Sequence, residues 1–161
     1  MRIVEKPPRR PPFLSRTAEH ALRAMLYLGR NDQREWVSSA EIADALGAPA
    51  NYLGKTLRQL TRQGLLESSR GAAGGFRLAR DAADVSMADI LACVDDVSHV
   101  ATCLLGARPC EPGQPCAVHD RWTEMEAMVL APMAGTSIAD LLGPAGEALH
   151  TIDISEVTCN D

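Results

Sequence analysis

The sequence predicts a mainly α fold with a small β-wing: a winged helix-turn-helix domain followed by a long dimerisation helix. Three observations predict it. A capped helix, a Gly-Ala-Pro turn and an amphipathic helix follow one another over residues 38–63. A glycine-tipped hairpin follows at 65–79, and a long helical segment with an apolar seam lies at about 117–131. The expected organisation is a disordered basic prolyl arm at 1–12, the winged domain at 13–84, a cysteine loop with the dimerisation helix at 85–142, and a weakly ordered tail at 143–161.

The arm, MRIVEKPPRRPP, holds four prolines and cannot be helical. From Leu14 the spacing of Ala18, Ala21, Leu22, Met25 and Leu26 predicts a first helix to about Gly29. Ser38 and Glu41 read as a capping box for a second helix, with Ile42 and Leu46 inward, that stops at Gly47. The third helix, about 50–63, has two faces. Leu53, Leu57 and Leu60 form an apolar stripe, while Asn51, Lys55, Arg58 and Arg62 share the opposite side. Such a pair of helices describes a helix-turn-helix whose second member enters the major groove of DNA. The hairpin, Leu65–Arg70 and Phe76–Ala79 around Gly71–Gly75, carries Arg70 and Arg77 and would be the wing, its glycines letting backbone approach a phosphate. Ser86 caps a helix at about 87–95 in which Cys93 reads as a core thiol. In the long helix Val118, Trp122, Met125, Val129 and Pro132 alternate by four and three, a coiled-coil seam that invites a second copy of the chain. Thr136 is expected to cap the last helix, through Leu142.

Charge is divided along the chain. Residues 1–80 carry 14 Lys/Arg against 7 Asp/Glu, whereas residues 81–161 carry 2 against 14. The cationic front half suits a polyanion, here double-stranded DNA. No apolar run approaches the ~20 residues that span a bilayer, so a cytoplasmic protein without a membrane partner is expected, with its five cysteines reduced.

Three of those cysteines gather in one prolyl segment: Cys103, Cys110 and Cys116, followed by His119, in the spacing C-x6-C-x5-C-x2-H. Close thiolates suit a soft metal, and the intervals depart from the C-x2-4-C of a zinc knuckle. No catalytic residues are expected. A cysteine-dependent enzyme using Cys116 and His119 would lack a third orienting group and any use for the basic half, and no P-loop lysine follows the glycines.

Residues Ala21-Leu22-Arg23-Ala24-Met25-Leu26, Asn51-Tyr52-Leu53, Gly64-Leu65 with Arg70-Gly71 and Gly74-Gly75, the three-cysteine segment, His119-Asp120-Arg121-Trp122 and Thr136-Ser137-Ile138-Ala139-Asp140-Leu141 resemble the Rrf-two family of bacterial regulators, of the IscR, NsrR and RirA kind. The resemblance covers roughly Leu14 to Leu142. It implies a homodimeric winged-helix regulator, a repressor or activator, that grips a palindromic operator and binds an iron–sulfur cluster through Cys103, Cys110 and Cys116. Two-iron and four-iron clusters both stay open, since the six-residue first interval matches neither the five of IscR-like members nor the longer gap of others. Four protein ligands are usual. The fourth is His119, as in IscR-like ligation, or Glu19 in the first helix, where NsrR-like proteins use a carboxylate. On this reading Asn51, Lys55 and Arg58 read bases or nearby phosphates, and Arg62, Arg70 and Arg77 position the backbone. Ser39, Tyr52 and Gly74 complete the candidate DNA-contacting set. The alternatives are structural zinc at Cys103, Cys110, Cys116 and His119, cluster-free thiol redox sensing, or a winged-helix module that binds protein.

Overall fold

The computed structural model describes residues 14–31, 36–71, 73–94 and 117–143. The basic arm, the segment bearing Cys103, Cys110 and Cys116, and the tail from residue 144 onward lie outside the described residues.

Among the described residues six helices and one hairpin follow in order: α1 (Arg16–Arg30), α2 (Ser39–Leu46), α3 (Ala50–Arg62), β1 (Leu66–Ser69), β2 (Gly75–Leu78), α4 (Met87–Val94), α5 (His119–Gly135) and α6 (Ile138–Leu142), with a 3-10 turn at Ala82–Asp84. Local chemistry sets each boundary. The Ser15 hydroxyl accepts the Ala18 amide to start α1, and Ser38 accepts that of Glu41 to start α2. The Glu41 carboxylate also takes a hydrogen bond from the Tyr27 hydroxyl at 3.1 Å, which ties α2 to α1. Gly47 ends α2 at φ +58°, the left-handed cap a glycine takes without Cβ strain. The chain then turns through Pro49 into α3.

The core is aliphatic. Met25 of α1, Ile42 of α2, Leu53, Leu57 and Leu60 of α3, Leu65 and Leu66 of the wing, Ile90 and Leu91 of α4 and Ile138 of α6 are fully buried. Each such side chain contributes about 1.5–3 kcal/mol by leaving water. The apolar stripes expected for the first three helices are the ones buried. α4 packs on α1 and α3, α6 packs on α1, and α5 packs against α4.

The wing is antiparallel, in the register Leu66↔Leu78, Glu67↔Arg77, Ser68↔Phe76 and Ser69↔Gly75. Leu66 and Leu78 anchor it inward. Val37 adds one more rung, exchanging both hydrogen bonds with Phe76 at 3.0 and 2.8 Å. That rung explains Gly75: a Cβ there would overlap the Val37 carbonyl. Gly75→Ala is therefore expected to lower stability by about 1–3 kcal/mol, since backbone must move. Thermal unfolding followed by circular dichroism checks it, and an unchanged midpoint would remove this packing argument.

Three expectations change. The last helix is capped by Ser137 rather than Thr136, in a full box with Asp140. Aspartate three residues on decides between the adjacent hydroxyls. The long helix begins at His119 and runs through Pro132 to Gly135. Cys93 is half-buried against the core rather than enclosed by it.

Candidate nucleic-acid interface and metal-ligand residues

α3 carries most of the candidate interface residues. Its inward leucines seat it on α1, α2 and α4, and this fixes which side faces out. Asn51, Lys55, Arg58 and Arg62 are all exposed. None makes a side-chain hydrogen bond or ion pair with the described residues, so three cations and an amide present their donors outward on one helix face. Arg70 is likewise exposed at the wing tip. Ser39 is the first residue of α2 and half-buried.

Three other candidates are engaged within the fold. The Tyr52 hydroxyl bonds to that of Thr17 in α1, and its ring meets His20 edge-on at 5.8 Å between centroids. Tyr52 thus pins the start of α3 to α1. Arg77 pairs with Glu67 across the wing at 2.7 Å, and its guanidinium lies 4.5 Å over the Trp36 ring. Gly74 is required by the hairpin itself: a Cβ there would overlap the Ser69 carbonyl. Trp36 and Glu67 are not legible in the sequence as partners of Arg77, because the wing register sets Glu67 opposite it and the Val37–Phe76 bridge brings Trp36 alongside.

Of the candidate metal ligands, Glu19 and His119 are described. Glu19 sits on α1, mostly buried, with its carboxylate 3.7 Å from Arg23 one turn on. His119 opens α5, and its Nδ1 is buried without a hydrogen-bond partner among the described residues. A buried imidazole nitrogen with no partner is costly unless something supplies one, and ligation by a metal would do so. A Cys3His donor set suits iron–sulfur ligation or zinc. Among the described residues no three His, Cys, Asp or Glu gather as a metal site. Cys93 differs from a ligating thiol. Burial pushes its pKa up, the Asp89 carboxylate adds to this, and its Sγ donates to the Asp89 carbonyl at 3.1 Å. A thiol held protonated is a poor ligand and nucleophile.

Among the described residues no helix is long and apolar enough to cross a membrane.

Comparison with known proteins agrees with this frame. The Rrf2 family model, described as an iron-dependent transcriptional regulator, matches residues 14–144. A protein of Aquifex aeolicus bearing an HTH-type transcriptional regulator name is 33% identical over 132 residues, 81% of this chain and 91% of its own. Among solved structures, T. potens IscR superposes with a TM-score of 0.67 at 26% identity, over 84% of this chain and 89% of that one. The B. subtilis global cysteine regulator CymR superposes with a TM-score of 0.69 at 21% identity, over 80% and 94%. Its likeness bears on the fold alone. The chain belongs to the Rrf2 family of transcriptional regulators, the Rrf-two group that its motifs resemble.

Proposed function

We propose that this chain is a homodimeric repressor that binds a palindromic operator and is controlled by an iron–sulfur cluster held by Cys103, Cys110, Cys116 and a fourth protein ligand. The observation that carries the DNA-binding part is the outward face of α3, with Asn51, Lys55, Arg58 and Arg62 exposed and unengaged among the described residues. Lys55 and Arg58 approach base edges and adjacent phosphates in the major groove, while Arg62 and Arg70 neutralise backbone phosphates. Ser39 brings the α2 N-terminus, the positive end of its helix dipole, toward a phosphate. Arg77 serves the interface indirectly, stiffening the wing through Glu67 and Trp36.

The second copy is supported by α5. None of its 17 residues is buried, and Met125 and Met128 are 57% and 73% exposed. Two such helices packed together would cover this surface and set two recognition helices about one DNA turn apart.

For the fourth ligand, the orphaned Nδ1 supports His119, while Arg23 already balances the Glu19 charge. When bound, a cluster would supply a centre whose state answers to iron supply, nitric oxide, oxygen or redox poise. In the chain Cys103, Cys110 and Cys116 lie between α4 and α5, and His119 opens α5, so holding a cluster would bear on both helices. Protein purified without air is expected to absorb in the visible and to contain iron and acid-labile sulfide. Cys110→Ser and His119→Ala should abolish or alter that spectrum, and Glu19→Gln should leave it unchanged. Colourless, iron-free protein that still holds its operator after attempted reconstitution would end the cluster reading. Thiol-based sensing would then be favoured if oxidation releases DNA, and structural zinc if zinc accompanies the protein.

A further inference from the structure

Gln59 joins the recognition helix to the helix that leads into the cysteine segment. Its Nε2 donates to the main-chain carbonyl of Cys93 at 2.6 Å. Cys93 lies in the last described turn of α4 (Met87–Val94). A side chain of α3 is therefore tied to the main chain of that turn. Gln59 follows Arg58 in sequence, about 100° round the helix. α3 thus turns Arg58 outward and grips α4 with the very next residue.

The other end of α4 is fastened. Ser86 and Ser137 form an antiparallel bridge. The Met87 amide donates to the Thr136 carbonyl and the Ile138 amide to the Val85 carbonyl, both at 2.9 Å. Each side of this bridge opens a helix with the same local pattern, Ser86-Met87-Ala88-Asp89-Ile90-Leu91 and Ser137-Ile138-Ala139-Asp140-Leu141-Leu142. In both, the serine hydroxyl accepts the aspartate amide at 3.1 Å. The aspartate carboxylate reciprocates by accepting the serine amide at 3.0 and 2.9 Å. These hydrogen bonds hold both carboxyls below their usual range, the Ser86 amide first for Asp89 and the Ser137 hydroxyl first for Asp140. The paired boxes clasp the start of α4 to the end of α5. The chain between them, which includes Cys103, Cys110 and Cys116, is tied off at its base.

We infer that Gln59 is a positioning residue that couples the state of the cysteine segment to the setting of the recognition helix. This rests on the sensing reading above. A shift of the α4 terminus pulls on Gln59, and α3 answers as a rigid helix, changing how Lys55 and Arg58 meet the groove. Removing the hydrogen bond leaves both faces of α3 and its packing on α4 intact, but unties α3 from the last turn of α4.

The test uses the full chain, cluster-loaded and cluster-free, with operator affinity read by fluorescence anisotropy on one duplex. Gln59→Leu removes the donor at similar size, and Gln59→Glu replaces it with a carboxylate that cannot donate. Wild type is expected to differ between its two forms by about tenfold or more, within the usual span of allosteric coupling. Both variants should bring the two forms within about twofold of each other, with visible spectra unchanged. In cluster-free protein, amide exchange over residues 90–94 should quicken in Gln59→Leu, because the last described turn of α4 loses its tie to α3. A wild-type difference preserved in both variants overturns the coupling. So does equal weakening of both forms, which would make Gln59 a DNA contact or a plain structural residue, or unchanged amide exchange. If wild type itself shows no difference between its forms, the sensing reading fails, and the coupling falls with it.

Discussion

Replacing Lys55 and Arg58 together with alanine is expected to weaken operator binding by about 100-fold or more, with no fall in thermal stability. A groove-facing cation contributes about 1–3 kcal/mol, so two removed together cost roughly 3 kcal/mol, which corresponds to about two decades in Kd. A phosphate that no longer meets a protein cation also keeps its condensed counterion when the complex forms. The slope of log affinity against log salt should therefore become shallower by about one unit for every phosphate left unpaired in this way. Folding is spared because both side chains are exposed and make no bond with the described residues, while Leu53, Leu57 and Leu60 still hold the helix. The measurement is a salt series of binding isotherms on a palindromic duplex selected from random sequence, beside thermal melts of both proteins. Unchanged affinity and slope would show that DNA lies elsewhere than on this face of α3.

The contrast with Arg77 sharpens the expectation. In the sequence Arg58 and Arg77 look alike, each a cation within a segment of helix-turn-helix or wing character. In the fold Arg58 has no hydrogen-bond or ionic partner among the described residues, whereas Arg77 is held between Glu67 and Trp36. An alanine at 77 loses wing rigidity and an exposed ion pair worth little by itself. Its effect on DNA binding should be the smaller of the two.

What can be read from the sequence is whatever local chemistry decides. Ser38, Gly47 and the leucine spacing of α3 act within a few residues of themselves, so the helix-turn-helix is legible nearly to its ends. The Ser137 cap is equally local: Asp140 stands three residues on, and the neighbouring Thr136 lacks such a partner at that spacing. Pro132 misleads, because proline removes an amide and crowds the preceding turn, yet α5 continues past it to Gly135. The wing glycines suggest clearance for a phosphate. In the structure the protein's own backbone fills that space at two of them, Ser69 against Gly74 and Val37 against Gly75, while Gly71 stands open. Tyr52, Arg77 and Gln59 have partners 35, 10 and 34 residues away. No periodicity announces such pairs. For the cysteines the spacing suggests soft-metal ligation, and the family resemblance suggests which centre. Their arrangement in space lies outside the described residues.

Leu57→Ala is expected to lower stability by about 2–5 kcal/mol, the usual range for a leucine truncated in a close-packed core. The side chain is fully buried at the middle of α3, where the helix packs on α1, α2 and α4. Met25, Ile42 and Ile90 of those three helices are likewise fully buried, so a close-packed surround leaves little room for collapse into the cavity. Against a total stability of about 5–15 kcal/mol for a domain this size, that is a large fraction. The melting midpoint should fall by roughly 5–20 °C, read by calorimetry. Operator affinity measured well below the new midpoint should fall far less than in the Lys55 and Arg58 double variant, because the outward cations remain. The two substitutions thereby separate what seats the recognition helix from what the helix does. If Leu57→Ala left the midpoint within a degree of wild type, α3 would not be packed as described, and the outward assignment of Asn51, Lys55, Arg58 and Arg62 would lose its footing as well.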